Sequence, residues 1–318
     1  VSKELEYSAD IAVRDCMAVK PGETVLVITD EPAAAIGRVL WERAKALGAE
    51  AIYTEMIPRK NDGAEPPPAI AAAMKQADVV LAPASRSLSH TVARKEASQA
   101  GARIATLPGI TEDIMKRALS ADYQKIARIS NKLADILTKG KTAHLTTPAG
   151  TDLVLQLEGR EGHPDTGINH TAGDFSNLPA GEAYIAPLEE TAEGIVVIDG
   201  AMAGIGVLDK PIKLTVENGY VTRISGGSEA VKLSALLAEY GKPAHNIAEL
   251  GIGTNDKAIL CGKVLEDEKV MGTVHIALGN SAAFGGKVQV PIHLDGILTR
   301  PTLTIDGKVI IKDGQHIE

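Results

Sequence analysis

What the chain lacks narrows its function before any motif is found. Aromatic side chains are scarce, with one Trp, six Tyr and two Phe in 318 residues, so the stacking platforms that hold single-stranded nucleic acids are mostly missing. There is no long basic run, and 41 acidic against 33 basic residues give a net charge of −8. Nucleic acid is therefore not an expected partner. The two cysteines, Cys16 and Cys261, lie far apart and in no metal-type spacing, which reads as reduced thiols in a cytoplasmic protein. No apolar stretch reaches membrane-spanning length, and the opening "VSKELEYSADIAV" has no signal-like apolar run. The expectation is a cytoplasmic protein without membrane contact.

Several catalytic signatures are also missing. The first strand–helix turn, "TDEPAAAIG" (residues 29–37), has none of the glycines of a dinucleotide fingerprint. "GGK" at residues 285–287 fails as a phosphate loop, because Ser281 stands where the first glycine belongs and Val288 follows the lysine. There is no Gly-x-Ser-x-Gly elbow and no His-Glu-x-x-His helix. The first part of the chain is thus expected to act as scaffold, lid or dimer surface.

What is present is organised in two textures. Residues 1–140 alternate short buried strands (23–29, 49–56, 77–84, 103–108) with helices (2–19, 33–48, 68–76, 89–100, 111–119, 121–138), the pattern of a doubly wound, mainly parallel α/β sheet. After Gly140 the chain turns to short alternating runs rich in Gly, Thr and Asp, with Asn-Gly and Asp-Gly hairpin signals in "ENGYV" and "IDGKVI". One helix, 228–240, interrupts them. The expected fold is α/β: a Rossmann-like domain over 1–140 and a β-rich α+β metal-site domain over 141–318.

The polar residues that stand out sit in the second part. "NLPAGEAYIAP" places Glu182 after a Pro-x-Gly turn, and "IAELGIGTN" places Glu249 between an apolar pair and glycines. "GTVHIALGNS" puts His275 inside an apolar run, and "VPIHLDGIL" puts His293 and Asp295 two apart, on one face of a strand. An ionised carboxylate in an apolar strand is costly unless it is paired or ligated. Five N and O donors suffice for one or two divalent ions, and imidazole with carboxylate suits Zn, Co, Mn or Fe(II). The His163–Asp165 pair and His170 fall in a polar, Gly-rich stretch that reads as an exposed loop. His90 and His144 have no acidic neighbour in sequence.

At these motifs the chain resembles the thermophilic metallo-aminopeptidases of the aminopeptidase T and S type. "NLPAGEAYIAP", "AELGIG", "HIALG", "HLD" and the upstream "GTDL" follow that family's pattern in its order, and "VKPGETVLV" resembles its first strand. The resemblance implies a homodimeric hydrolase that removes N-terminal residues from peptides. It implies two Zn, Co or Mn ions on Glu182, Glu249, His275, His293 and Asp295, with Glu249 bridging and Glu182 or Glu249 as general base on a metal-bound water. The chain departs from the pattern at two positions. Ala282 replaces a tyrosine expected seven residues after His275, and Val270 stands where an acidic residue is expected, with Glu268 close by. The ending "GGKVQVPIHLDGIL" is similar to a second branch of the same fold. That branch comprises the dihydroxypyridine ring-cleaving dioxygenases, in which two histidines and a carboxylate hold one Fe(II). Mononuclear oxygenase chemistry is the alternative function, and the substrate is then a small molecule rather than a peptide.

Overall fold

The computed structural model describes residues 2–317. Contacts divide the chain into two compact units, Val1–Ala127 with Thr166–Ala180, and Arg128–Asp165 with Gly181–Glu318. The sequence places a single boundary near residues 138–142. The contacts place it inside the helix Tyr123–Lys139 and return a fifteen-residue excursion to the first unit.

The first unit is built on a five-stranded parallel sheet in the order Glu50–Met56, Thr24–Asp30, Val79–Ala84, Arg103–Pro108, Phe175–Asn177. "VVLAPA" is buried along its whole length, as expected for an inner strand of a parallel sheet covered on both sides. The last strand comes from the excursion, where short polar residues hid it from pattern reading. The order reverses between the first and third strands, the place where such sheets bind ligands at their carboxyl ends. Here the buried Asp30 carboxylate fills that crevice, accepting bonds from the Ser85 N–H (2.9 Å) and Oγ–H (2.5 Å). A fixed negative charge at this point works against a phosphate.

The second unit carries two antiparallel sheets. One has eight strands, ordered Tyr220–Ser225, Ile212–Glu217, Glu193–Ile198, Asp152–Gln156, Thr142–Thr146, Thr302–Ile305, Lys308–Lys312, Gln315–His316. Its hairpins turn on Asn218-Gly219 and Asp306-Gly307, each with two residues at positive φ, the backbone that two-residue turns require. The other has seven strands, ordered Gly206–Val207, Ala201–Met202, His293–Leu298, Val274–Gly279, Ile247–Gly253, Glu182–Ile185, Gly162–Asp165. One apolar core joins the two sheets. Leu145, Leu155, Val196 and Leu214 come from the first, and Ile185, Leu250, Ile252, Ile276, Leu278 and Leu298 from the second. No helix among the described residues is long and apolar enough to cross a membrane.

Candidate metal centre

Strand alternation sorts the seven-stranded sheet into a core face and a polar face. Ala183, Ile185, Leu250, Ile252, Ile276, Leu278 and Leu298 point into the core. The residues between them, Glu182, Tyr184, Glu249, Gly251, His275, Ala277, Gly279, His293 and Asp295, share the opposite face. Pairing then sets each large polar side chain beside a small one. Glu182 lies opposite Gly253, His275 opposite Gly251, Glu249 and Asp295 opposite Ala277, and His293 opposite Gly279. The spacing is tight: a Cβ on Gly251 would lie 1.9 Å from His275 Nε2. Glu249 reaches this face through a break in register. Ile247 pairs with Leu278 of the core face, yet Glu249, two residues on, pairs with Ala277 of the polar face. A bulge at Ala248 re-aims the carboxylate, a frequent device beside functional sites.

The structure brings all five sequence-predicted donors together. Two groups of donor atoms lie within 4.8 Å of one another, Glu182–Glu249–His275 and Glu249–His293–Asp295, with Glu249 common to both. His275 Nε2 is 3.2 Å from both Glu182 Oε2 and Glu249 Oε1. His293 Nε2 is 3.3 Å from Asp295 Oδ1 and 3.5 Å from Glu249 Oε2. His293 Nδ1 lies 2.8 Å from the Asn280 carbonyl oxygen. A carbonyl only accepts, so Nδ1 carries the hydrogen and the Nε2 of the neutral ring turns its lone pair toward two carboxylates. Such an arrangement needs a positive charge between the groups, a proton or a metal ion. The donor set therefore fits a divalent cation.

The electrostatics of the cluster tell the same story. Burial would lower both histidines, but the carboxylates outweigh it. Glu182 and Glu249 hold His275 well above the ordinary range, and Asp295 pushes His293 up to about 10. Burial would raise Asp295, yet His293 keeps it well below the usual carboxylate range. At Glu249 burial wins and the carboxyl is raised. At Glu182 burial is overcome by Lys269 and His275, and the group is lowered.

Three features of the site were not read from the sequence. Lys269, in the charged run "EDEK", is buried, and its ammonium donates to Glu182 Oε1 (2.5 Å) and Glu268 Oε1 (2.7 Å). Asp165 Oδ2 is 3.3 Å from the same nitrogen. Residues 162–165, expected to be an exposed loop, form the edge strand of the site sheet, which sets Asp165 beside Glu182 and His163 beside Tyr184. An aromatic row runs along the face from His163 to Tyr184 (5.5 Å), Phe284 (5.5 Å) and His293 (5.8 Å between ring centroids). Outside the site, His144 is paired with Asp152 across neighbouring strands at 2.7 Å. His170 Nε2 lies 2.8 Å from the Asp15 carbonyl oxygen.

A family model described as NicX, 2,5-dihydroxypyridine 5,6-dioxygenase, matches residues 11–318. The 2,5-dihydroxypyridine 5,6-dioxygenase of Pseudomonas putida KT2440 is 24% identical over 263 residues, covering 77% of this chain and 72% of that protein. The solved structure of 2,5-dihydroxypyridine dioxygenase from the same organism is similar with a TM-score of 0.84 at 20% identity, covering 98% of this chain and 96% of that one. Wild-type AmpT from Thermus thermophilus follows with a TM-score of 0.74 at 19% identity, covering 99% of each chain. These structural likenesses establish the fold. The family match overturns the aminopeptidase reading of the motifs, and with it the hydrolase, metalloprotease and proteolysis assignments: AmpT is a neighbour in fold only. The motifs lie on the sheet, and the fold is common to both solved structures, so the fold alone does not separate the two reactions.

Proposed function

The chain belongs to the 2,5-dihydroxypyridine 5,6-dioxygenase (NicX) family, and on that premise we propose that it is a mononuclear non-haem Fe(II) dioxygenase opening the ring of a dihydroxylated pyridine. The observation that carries this reading is the aromatic row. In a chain with two phenylalanines and six tyrosines, Tyr184 and Phe284 lead edge-on to His293, a metal-facing imidazole. A planar ring is the ligand that such a wall accepts.

His293 and Asp295, which share one donor group, together with His275, joined to that group through Glu249, would supply the two-histidine, one-carboxylate set for the iron. Bound there, Fe(II) would supply a redox relay between molecular oxygen and the hydroxylated ring, the ring itself being the reductant. The remaining roles fall to the protein. The Asn280 carbonyl fixes the His293 ring and its tautomer. Tyr184 and Phe284 stack the substrate and exclude water. Glu249, whose carboxyl is raised by burial and which faces both imidazoles, would be the group that accepts the proton of a ring hydroxyl. Glu182, fixed by Lys269, holds the far side of His275. Ala282, where the aminopeptidase pattern has a tyrosine, leaves no phenol to stabilise a peptide-derived oxyanion at that position. The homodimer expected from the sequence stays part of the proposal, and light scattering on the purified protein tests it.

The deciding experiment is oxygen uptake by iron-reconstituted protein supplied with 2,5-dihydroxypyridine. The expected result is one O2 consumed per ring lost, abolished by chelator, with no cleavage of amino-acid anilides. Iron-loaded protein that consumes no oxygen with dihydroxylated pyridines, or that hydrolyses the anilides, overturns the assignment.

A further inference from the structure

The five donors form two overlapping groups around Glu249, which is enough chemistry for two ions. The side of the cluster formed by Glu182, Glu268 and Asp165 is already occupied. Lys269 Nζ sits there at 2.5, 2.7 and 3.3 Å from one oxygen of each carboxylate. An ammonium has three hydrogens to donate, and here it meets three carboxylates. The lysine side chain is 1% exposed. Burying a charge so completely is costly unless it is matched by opposite charge at close range, and a lysine that only decorated a surface loop would not be drawn inside. Backbone bonds fix it there: Lys269 N–H donates to the Glu266 carbonyl, and its own carbonyl accepts from Asn255 N–H. The nitrogen is thus held in a pocket of three carboxylate oxygens, the kind of environment that holds a hard divalent cation.

We propose that Lys269 is a built-in cation: its ammonium, held on Glu182 Oε1, Glu268 and Asp165, already neutralises the carboxylates whose charge a second metal ion would need, and so restricts the centre to one divalent ion. This deepens the mononuclear reading and rests on it. Two ions sharing Glu249 favour activation of a bridging water, which is hydrolytic chemistry. A single ion flanked by a fixed ammonium keeps Glu182 engaged with Lys269 and His275 instead of with metal. Lys269 is in this sense a residue that determines which chemistry the shared sheet supports, without touching the substrate.

The test is metal stoichiometry. Metal-free wild-type chain titrated with Mn(II) is expected to bind one ion per chain, with the electron paramagnetic resonance spectrum of an isolated ion. Lys269→Ala, prepared in the same way and shown folded by circular dichroism, is expected to bind two, with the broadened spectrum of a coupled pair. A second equivalent bound tightly by the wild type overturns the proposal, whatever the variant does. So does a folded Lys269→Ala protein that stays at one ion. Ring cleavage measured on the same wild-type preparation separates the two readings. One ion without turnover of the dihydroxypyridine removes the functional assignment and leaves the role of Lys269 intact. Turnover with two ions bound removes the role of Lys269 and leaves the function.

Discussion

Gly251 offers the sharpest test of how the sheet presents its donors. A methyl group there would sit 1.9 Å from His275 Nε2, 2.2 Å from Cε1 and 2.6 Å from Cδ2, whereas carbon and its neighbours rest at about 3.5–4.0 Å. The imidazole must therefore retreat by roughly 1.5 Å for contact to be restored. His275 is fully buried and Ile276 beside it is packed in the core, so the retreat strains the surroundings. Overpacking of this kind costs about 1–3 kcal/mol. A ligand moved that far leaves the tolerance of a metal site, which is about 0.5 Å, and metal affinity should fall by at least about 100-fold. A double-mutant cycle isolates the cause. In a His275→Ala background the clash is gone, and Gly251→Ala should become neutral or stabilise by about 0.5 kcal/mol, because alanine is the better strand residue. Urea denaturation of the metal-free proteins reads the four stabilities, and competition with a chromogenic chelator reads the affinities. An equal penalty for Gly251→Ala with and without the histidine would falsify the packing argument, as would unchanged metal affinity in the single variant.

Other expectations can be checked on the same protein. Phe284→Ala should raise KM for the dihydroxypyridine about 2–10-fold, the range of one aromatic contact, with bound iron per chain unchanged; an unaltered KM removes Phe284 from the substrate wall. Asp295→Asn keeps the shape of the site but removes the charge beside His293, and iron affinity should drop by at least about 100-fold in a dialysis measurement. In the first unit, Glu23→Ala strands the buried Arg103 guanidinium, whose Nη2 lies 2.7 Å from Glu23 Oε2, at a cost of about 3 kcal/mol. Breaking the exposed Lys116–Glu112 pair should leave stability nearly unchanged, because water screens it, and equal effects in the two denaturation curves contradict the distinction. Cys261 is an exposed residue, yet partial desolvation of its sulfur and its hydrogen bond to Glu266 push the thiol up to about 12. Its folded value lies above its unfolded one, so the protonated thiol contributes stability that is intact at neutral pH and lost as pH rises toward 12. Iodoacetamide at pH 8 should modify it at least about 100-fold more slowly than free cysteine, and Glu266→Gln should speed the reaction.

Much of this was legible in the sequence, for identifiable reasons. His293 and Asp295 two apart in "VPIHLDGIL" placed both on one strand face, and the structure puts them on the same face of Val274–Gly279's neighbour. Asn218-Gly219 and Asp306-Gly307 announced hairpins because their backbone demands are local. What depends on distant partners could not be read. Alternation alone would have put Ile247 and Glu249 on the same face; only the pairing with Val274–Gly279 exposes the bulge that separates them. Lys269 follows Glu266, Asp267 and Glu268 and reads as surface charge, since nothing local reveals that its carboxylate partners stand at 165 and 182. The strand Phe175–Asn177 pairs with Arg103–Pro108 some seventy residues earlier, so no nearby pattern marked it.

The donors themselves also explain why the motifs pointed to the wrong reaction. Glu182, Glu249, His275, His293 and Asp295 are dictated by what the sheet can present: large polar groups set against Gly251, Gly253, Ala277 and Gly279 on one face, with a continuous apolar core on the other. Any chemistry built on this face inherits that checkerboard, so the checkerboard cannot discriminate between chemistries. Discrimination has to come from residues that the sheet does not require. On the proposed reading those are the ammonium of Lys269 among three carboxylates, the aromatic edge of Phe284 against His293, and the methyl of Ala282. Lys269 lies on a turn and Ala282 and Phe284 on the short 3-10 helix Ala282–Phe284, all outside the strands. Lys269→Ala combined with Ala282→Tyr should consequently raise the number of ions bound per chain, read by Mn(II) titration.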